Sequence, residues 1–170
     1  EENYLKLYTY EEVAQAIETM VIRGAPAIGV AAAMGVALGI QKSSAKDGTS
    51  LKQEFLKIYE RLYQTRPTAV NLRWSLERMK KCFESYQKFS IPEIKQSLEQ
   101  EALKIYGEDI ETNRKMGANG KHFIQNNSKI MTYCNTGTLA TAGYGTALGV
   151  IRAAHEESKR FLVYVCETRP

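Results

Sequence analysis

Apolar residues recur at three- and four-residue spacing through the first 125 positions, and the pattern changes only at Lys129. Thr9 and Glu12 form a capping-box signature ahead of a helix whose Val13, Ile17 and Met20 are predicted to share one face. Pro26 suits a helix first turn, and Ala27 to Ile40 follows with Ala or Gly at most positions. A helix with so little side-chain bulk lets neighbouring backbone approach closely, so it is expected to be central and buried. Residues 43–50, including Lys46-Asp47-Gly48, read as a polar loop. Ser50 and Gln53 are then expected to cap a helix with Phe55, Ile58 or Tyr59, and Leu62 inward. A break at Thr65-Arg66-Pro67-Thr68 precedes a helix carrying Leu72, Leu76, Met79 and Phe83 and ending near Ser90. Ser90 and Glu93 cap a further long helix holding Ile94, Leu98, Ala102 and Ile105, with Gly117 and Gly120 marking its end.

From Lys129 the period shortens. A strand (129–134), a helix (138–156) and a second strand (161–166) form a βαβ unit, which should be parallel with a right-handed crossover. The expected fold class is α/β: a mainly helical N-terminal domain (1–125), then the first βαβ unit of a Rossmann-like parallel sheet (126–170), truncated. One βαβ unit cannot cover both faces of a sheet. With Glu167-Thr168-Arg169-Pro170 standing where a strand-end loop should begin, the chain reads as a fragment of a longer protein.

Composition narrows the function classes. A net charge of +4 over 170 residues is mild, and the lysines are spread rather than massed beside an aromatic platform, which argues against nucleic acid. The three cysteines, Cys82, Cys134 and Cys166, are odd in number, and no Cys-x-x-Cys or paired-histidine spacing exists. That argues against a zinc site or a disulfide framework and for a reducing, cytoplasmic setting. The opening Glu1-Glu2-Asn3 is unlike a signal peptide, and the apolar run from Ala25 to Ile40 is too short and too rich in Gly and Ala for a membrane span.

Cys134 is the leading chemical candidate. It stands where a β-branched, aromatic strand turns through Asn135-Thr136-Gly137-Thr138 into a predicted helix. A helix start lowers a thiol's pKa and favours anions, and ligands of open α/β sheets bind outside the strands' carboxyl ends. Cysteine is also a common small buried hydrophobe, and the segment alone leaves both readings open. Arg23-Gly24-Ala25-Pro26 puts an arginine and a permissive glycine at the mouth of the small-residue helix, and Arg66-Pro67 repeats the arrangement. Two such turns suit clamps on one anion, which favours a phosphorylated ligand.

Gly143-Tyr144-Gly145-Thr146-Ala147-Leu148-Gly149 misses the dinucleotide fingerprint in spacing and falls inside the predicted helix, where close helix-to-sheet packing explains it better. Cys82, beside Met79 and Phe83, reads as core, and Cys166 as buried at the second strand's end. Neither His122 nor His155 is singled out by its surroundings.

Four blocks occur in order: Arg23 to Gly29, Arg66 to Leu72, Cys134 to Gly137 with Gly145 to Gly149, and Glu167 to Pro170. Together they resemble the methylthioribose-1-phosphate isomerase family of methionine salvage, a route of methionine biosynthesis. The same superfamily holds ribose-1,5-bisphosphate isomerase and regulatory subunits of a translation-initiation nucleotide-exchange factor. The resemblance implies a helical domain followed by a Rossmann-like one, a homodimer, and no metal or organic cofactor. It also implies conversion of 5-methylthioribose 1-phosphate to 5-methylthioribulose 1-phosphate. By the matching motifs Arg23, Gly24 and Ala25 would bind the sugar phosphate, Arg66 would join them, and Cys134 would be catalytic. Family enzymes continue past the last block to a glutamine, a catalytic aspartate and an Asn-Lys pair, so the 170 residues alone are expected to be inactive. Ribose-1,5-bisphosphate isomerase, the alternative enzyme, needs a second phosphate pocket where the methylthio substrate needs an apolar one. A non-catalytic regulatory subunit is the alternative from another class, and it has no need of the thiol and two arginine turns kept here.

Overall fold

Three of the helix starts follow local capping chemistry in a computed structural model, which describes residues 3–168. Glu1, Glu2, Arg169 and Pro170 lie outside the described residues, and with them the end of the fourth sequence block. The elements run α1 (Tyr10–Glu18), α2 (Ala25–Gln41), α3 (Gly48–Tyr63), α4 (Val70–Tyr86), α5 (Ile91–Gly120), β1 (Lys129–Thr132), α6 (Ala147–Glu156) and β2 (Leu162–Val165). Single 3-10 turns occupy Lys121–Phe123 and Thr138–Ala140. Reciprocal capping boxes form at Thr9 with Glu12 and at Ser90 with Glu93, as predicted. The third helix starts earlier than expected. Asp47 is its N-cap, accepting from Ser50 N at 2.8 Å, so Ser50 is the third helical residue and not the cap.

Helix α2 is the hub against which α1, α3, α4 and α5 pack. Its small residues are what permit that. A Cβ added at Gly29 would lie 2.8 Å from the Asn71 carbonyl oxygen of α4, and one at Gly39 would lie 2.7 Å from the Ile58 terminal methyl of α3. Around it Ile17, Ile40, Leu51, Phe55, Leu62, Leu72, Leu76, Met79 and Leu98 close the core, with Phe55 and Phe83 stacked at 4.3 Å between ring centroids. Cys82 is half-buried on this core, where burial raises its thiol pKa. Met20 departs from expectation. The helix ends at Glu18, and Met20, in the left-handed region (φ 61), stays outside the core cluster that holds Val13 and Ile17.

Strands β1 and β2 are parallel neighbours, with Lys129 opposite Leu162 and Thr132 opposite Val165. Each is shorter than the sequence suggested. The connection between them corrects the predicted 138–156 helix: only Ala147–Glu156 is α-helical, and residues 141–146 are irregular. Gly143 and Gly145 therefore do not lie inside a helix. Gly145 has φ 96, and a Cβ there would sit 3.0 Å from the Gly137 carbonyl carbon, so it serves loop closure. Close packing at Gly149 is to α5 and not to the sheet: a Cβ on Gly117 would meet the Gly149 carbonyl oxygen at 2.9 Å.

One sheet face is open. Met131 is 72% exposed, and its pairing partner Tyr164 and nearby Leu162 are exposed too. Among the described residues no helix is long and apolar enough to cross a membrane.

Candidate active site

The segment between β1 and α6 is held by its own polar groups. At its base the Thr132 and Thr136 hydroxyls are 3.0 Å apart, and Thr146 N donates to the Thr136 carbonyl at 2.9 Å. Thr141 is the hub. Its hydroxyl donates to the Thr138 carbonyl at 3.2 Å and accepts from Gly143 N and Gly145 N, each at 3.1 Å. Just before those amides, Ala142 N donates to Asp109 Oδ2 at 2.7 Å, tying the loop to α5. These competing acceptors explain the missing helix: the amides of residues 142, 143 and 145 bond to side chains in place of the carbonyls four residues back.

Cys134 lies just past β1 at φ 68, a backbone conformation uncommon for a side-chain-bearing residue and concentrated at functional sites. The residue is exposed and its thiol is free, so it is not a core cysteine. The helix-start argument for it does not hold, because α6 begins only at Ala147 and the 138–140 turn is a single 3-10 turn.

Arg23 meets this loop through its neighbour. Gly24 has φ 99, and a Cβ there would come within 2.5 Å of Ala140 Cα, so the α1–α2 turn and the 138–140 turn touch backbone to backbone. The contact leaves a cavity of about 690 Å3, walled by the exposed Arg23 with Asn135, Thr138 and Thr141, and on the apolar side by Met20, Val21, Ala27, Val30, Tyr106 and Leu139. Ala25 opens α2 and is exposed.

Arg66 stands apart from that lining. It is half-buried in the turn before α4, its carbonyl accepting from Ala69 N at 2.9 Å. The helix it precedes brings Asn71 and Trp74 to a second cavity of about 420 Å3, shared with Pro26, Gly29 and Asp109. Asp109 thus faces one cavity while pinning the loop of the other.

Thr141 and Asp109 were missed in the sequence. The Thr-Ala-Gly-Tyr-Gly run carried a turn signal for the first; Asp109 carried none, its partner being 33 residues away. Behind the loop, Tyr144 is buried, donates to Glu156 Oε2 at 3.0 Å, and lies under the guanidiniums of Arg114 (5.2 Å) and Arg152 (4.8 Å). Burial first, then the Glu156 carboxylate, raises the phenol's pKa. This stack fastens α6 to α5. Among the described residues no group of three His, Cys, Asp or Glu side chains is placed to hold a metal ion.

Residues 21–170 match the model of the initiation factor 2 subunit family. The chain is 50% identical over 170 residues to a methylthioribose-1-phosphate isomerase of Koribacter versatilis, covering 100% of this chain and 48% of that protein. It is 52% identical to the same-named protein of Thermotoga neapolitana, covering 99% and 48%. Among solved structures, 5-methylthioribose 1-phosphate isomerase from Pyrococcus horikoshii OT3 superposes with a TM-score of 0.93 at 44% identity, over 100% of this chain and 48% of that one. The translation initiation factor eIF-2B delta subunit from A. fulgidus gives 0.85 at 42% identity, over 98% and 48%. The chain spans about half the length of the curated relatives it matches.

Proposed function

Because the chain belongs to the initiation factor 2 subunit family, we propose that it is the N-terminal half of an aldose–ketose isomerase converting 5-methylthioribose 1-phosphate to 5-methylthioribulose 1-phosphate. The observation that carries this reading is the cavity joining Arg23 to the loop after Cys134, with hydroxyl and amide groups on part of its wall and apolar side chains on the rest. Such a wall suits a ligand that is a phosphate at one end and a thioether at the other.

The chemistry asks for that enclosure. The anomeric carbon carries phosphate, so the sugar ring does not open spontaneously. The ring oxygen must be protonated and hydrogen moved between C1 and C2, in a site that excludes water. Arg23 supplies permanent positive charge for the phosphate, and Gly24 and Ala25 supply close backbone. Arg66 is a second phosphate contact in this scheme. Cys134 is the catalytic group on this chain, and its acid–base partner comes from the other half of the relatives' length. Residues 1–125 then form a helical domain and 126–170 the start of a Rossmann-like one, in a homodimer. The open apolar face at Met131, Leu162 and Tyr164 supports further chain packing there.

The likeness to the A. fulgidus eIF-2B delta structure at 42% identity favours one other reading, a non-catalytic subunit of a translation-initiation factor. Assaying the full-length protein with 5-methylthioribose 1-phosphate and ribose 1,5-bisphosphate separates the readings. Ketose formed from the first substrate is expected. Turnover of the bisphosphate alone would move the assignment to the sister isomerase, and turnover of neither would favour the subunit.

A further inference from the structure

Met20 is the cavity residue whose backbone and side chain are at odds. It adopts φ 61 at the exit of α1, where Met20 N donates to the Ile17 carbonyl and Ile22 N to the Ala16 carbonyl. Glycine is the usual residue at such a helix exit, because a Cβ is strained there. The exit of α6 puts a small residue, Ser158, in the same conformation (φ 61). Met20 instead carries a long apolar side chain that is 40% exposed, on the wall of the Arg23 cavity beside Val21 and Leu139, which are 62% and 86% exposed. Folding does not call for that side chain, since Met20 is absent from the core cluster. A strained, partly exposed residue on a cavity wall is accounted for by what the cavity holds.

We propose that Met20 is a specificity-determining residue whose side chain packs against the 5-methylthio tail while Arg23 takes the phosphate; this rests on the sugar-phosphate reading above. Methionine is flexible and polarizable, so it moulds to a thioether. A second phosphate in place of the tail would bring charge against apolar groups that offer it no partner, so the same wall disfavours a bisphosphate.

The test compares two substrates in the full-length protein: 5-methylthioribose 1-phosphate and 5-deoxyribose 1-phosphate, which lacks the thioether. Met20→Gly relieves the backbone, and Met20→Asn keeps a residue tolerant of the left-handed region while removing the apolar wall. Each should lower kcat/KM for the methylthio substrate about tenfold and leave the deoxy substrate within about twofold, with Tm for Met20→Gly no lower than wild type. Met20→Leu should retain activity on both. If both substrates fall together, or neither changes, the role of Met20 is refuted while wild-type turnover keeps the isomerase reading. A wild-type protein that turns over neither substrate overturns both.

Discussion

Replacing Thr141 with valine keeps the side chain's shape and removes its hydroxyl, which isolates the hydrogen bonds that hold the loop after Cys134. The residue is 7% exposed, so water does not readily take the hydroxyl's place. Two backbone amides, Gly143 N and Gly145 N, lose an acceptor at 3.1 Å, and the Thr138 carbonyl loses a donor. An unsatisfied buried amide costs about 1–3 kcal/mol. Gly145 is buried and bears the full cost, whereas Gly143 is half-buried and recovers part of it from solvent. The sum is about 2–3 kcal/mol, or roughly 5–10 °C in Tm for a domain of this size. Chemical denaturation and thermal melts of Thr141→Val and Thr141→Ser measure it. Serine keeps the hydroxyl and should lie within about 1 kcal/mol of wild type, the scale of a lost methyl. Equal stability of valine and wild type would refute the hub role, and a serine variant as weak as valine would assign the effect to methyl packing.

On the isomerase reading, Cys134→Ser in the full-length protein should leave Tm unchanged, because the residue is exposed, and cut turnover about a hundredfold or more; normal turnover would remove the thiol from the mechanism. Arg23→Ala should raise KM by the loss of a charge-assisted contact of about 1.5–3 kcal/mol, and Arg66→Ala by less, since only Arg23 lines the loop cavity. An Arg66→Ala effect equal to or larger than that of Arg23→Ala would instead place the phosphate beside α4. Stability should also fall in acid. Hydrogen bonds from Arg61 (2.6 Å) and from Arg78 hold Glu18 and Glu108, respectively, below the usual carboxylate range. Their contribution is therefore present at neutral pH and lost as pH drops below about 4, through the lowered folded-state values. Urea midpoints across pH 3–7 should show this fall, and Glu18→Gln should flatten it.

What the sequence determined by itself was whatever depends on near neighbours. Thr9 with Glu12 and Ser90 with Glu93 satisfy amides within one turn, so two helix starts were readable without the fold. The Ala and Gly content of α2 announced a close-packed hub, because absent side chains have that consequence against any partner. The parallel pairing of β1 with β2 followed from two short apolar runs flanking a helix-length connection. The ordered motifs placed Arg23 and Cys134 as candidates.

Only the tertiary structure decided where those groups meet. The 138–146 segment reads as a helix start because no proline interrupts it, despite two glycines. Thr141 takes two of its amides and Asp109, from the middle of α5, takes a third. A carboxylate delivered from 33 residues away has no signature in the local pattern, and it overrode local propensity because an alternative acceptor stood ready. Likewise, nothing near Gly24 says that Ala140 will press against it, or that Met20 will leave its helix to wall a cavity. Capping acts over three or four residues and can be read along the chain; a site is a matter of which distant backbones touch, which packing sets.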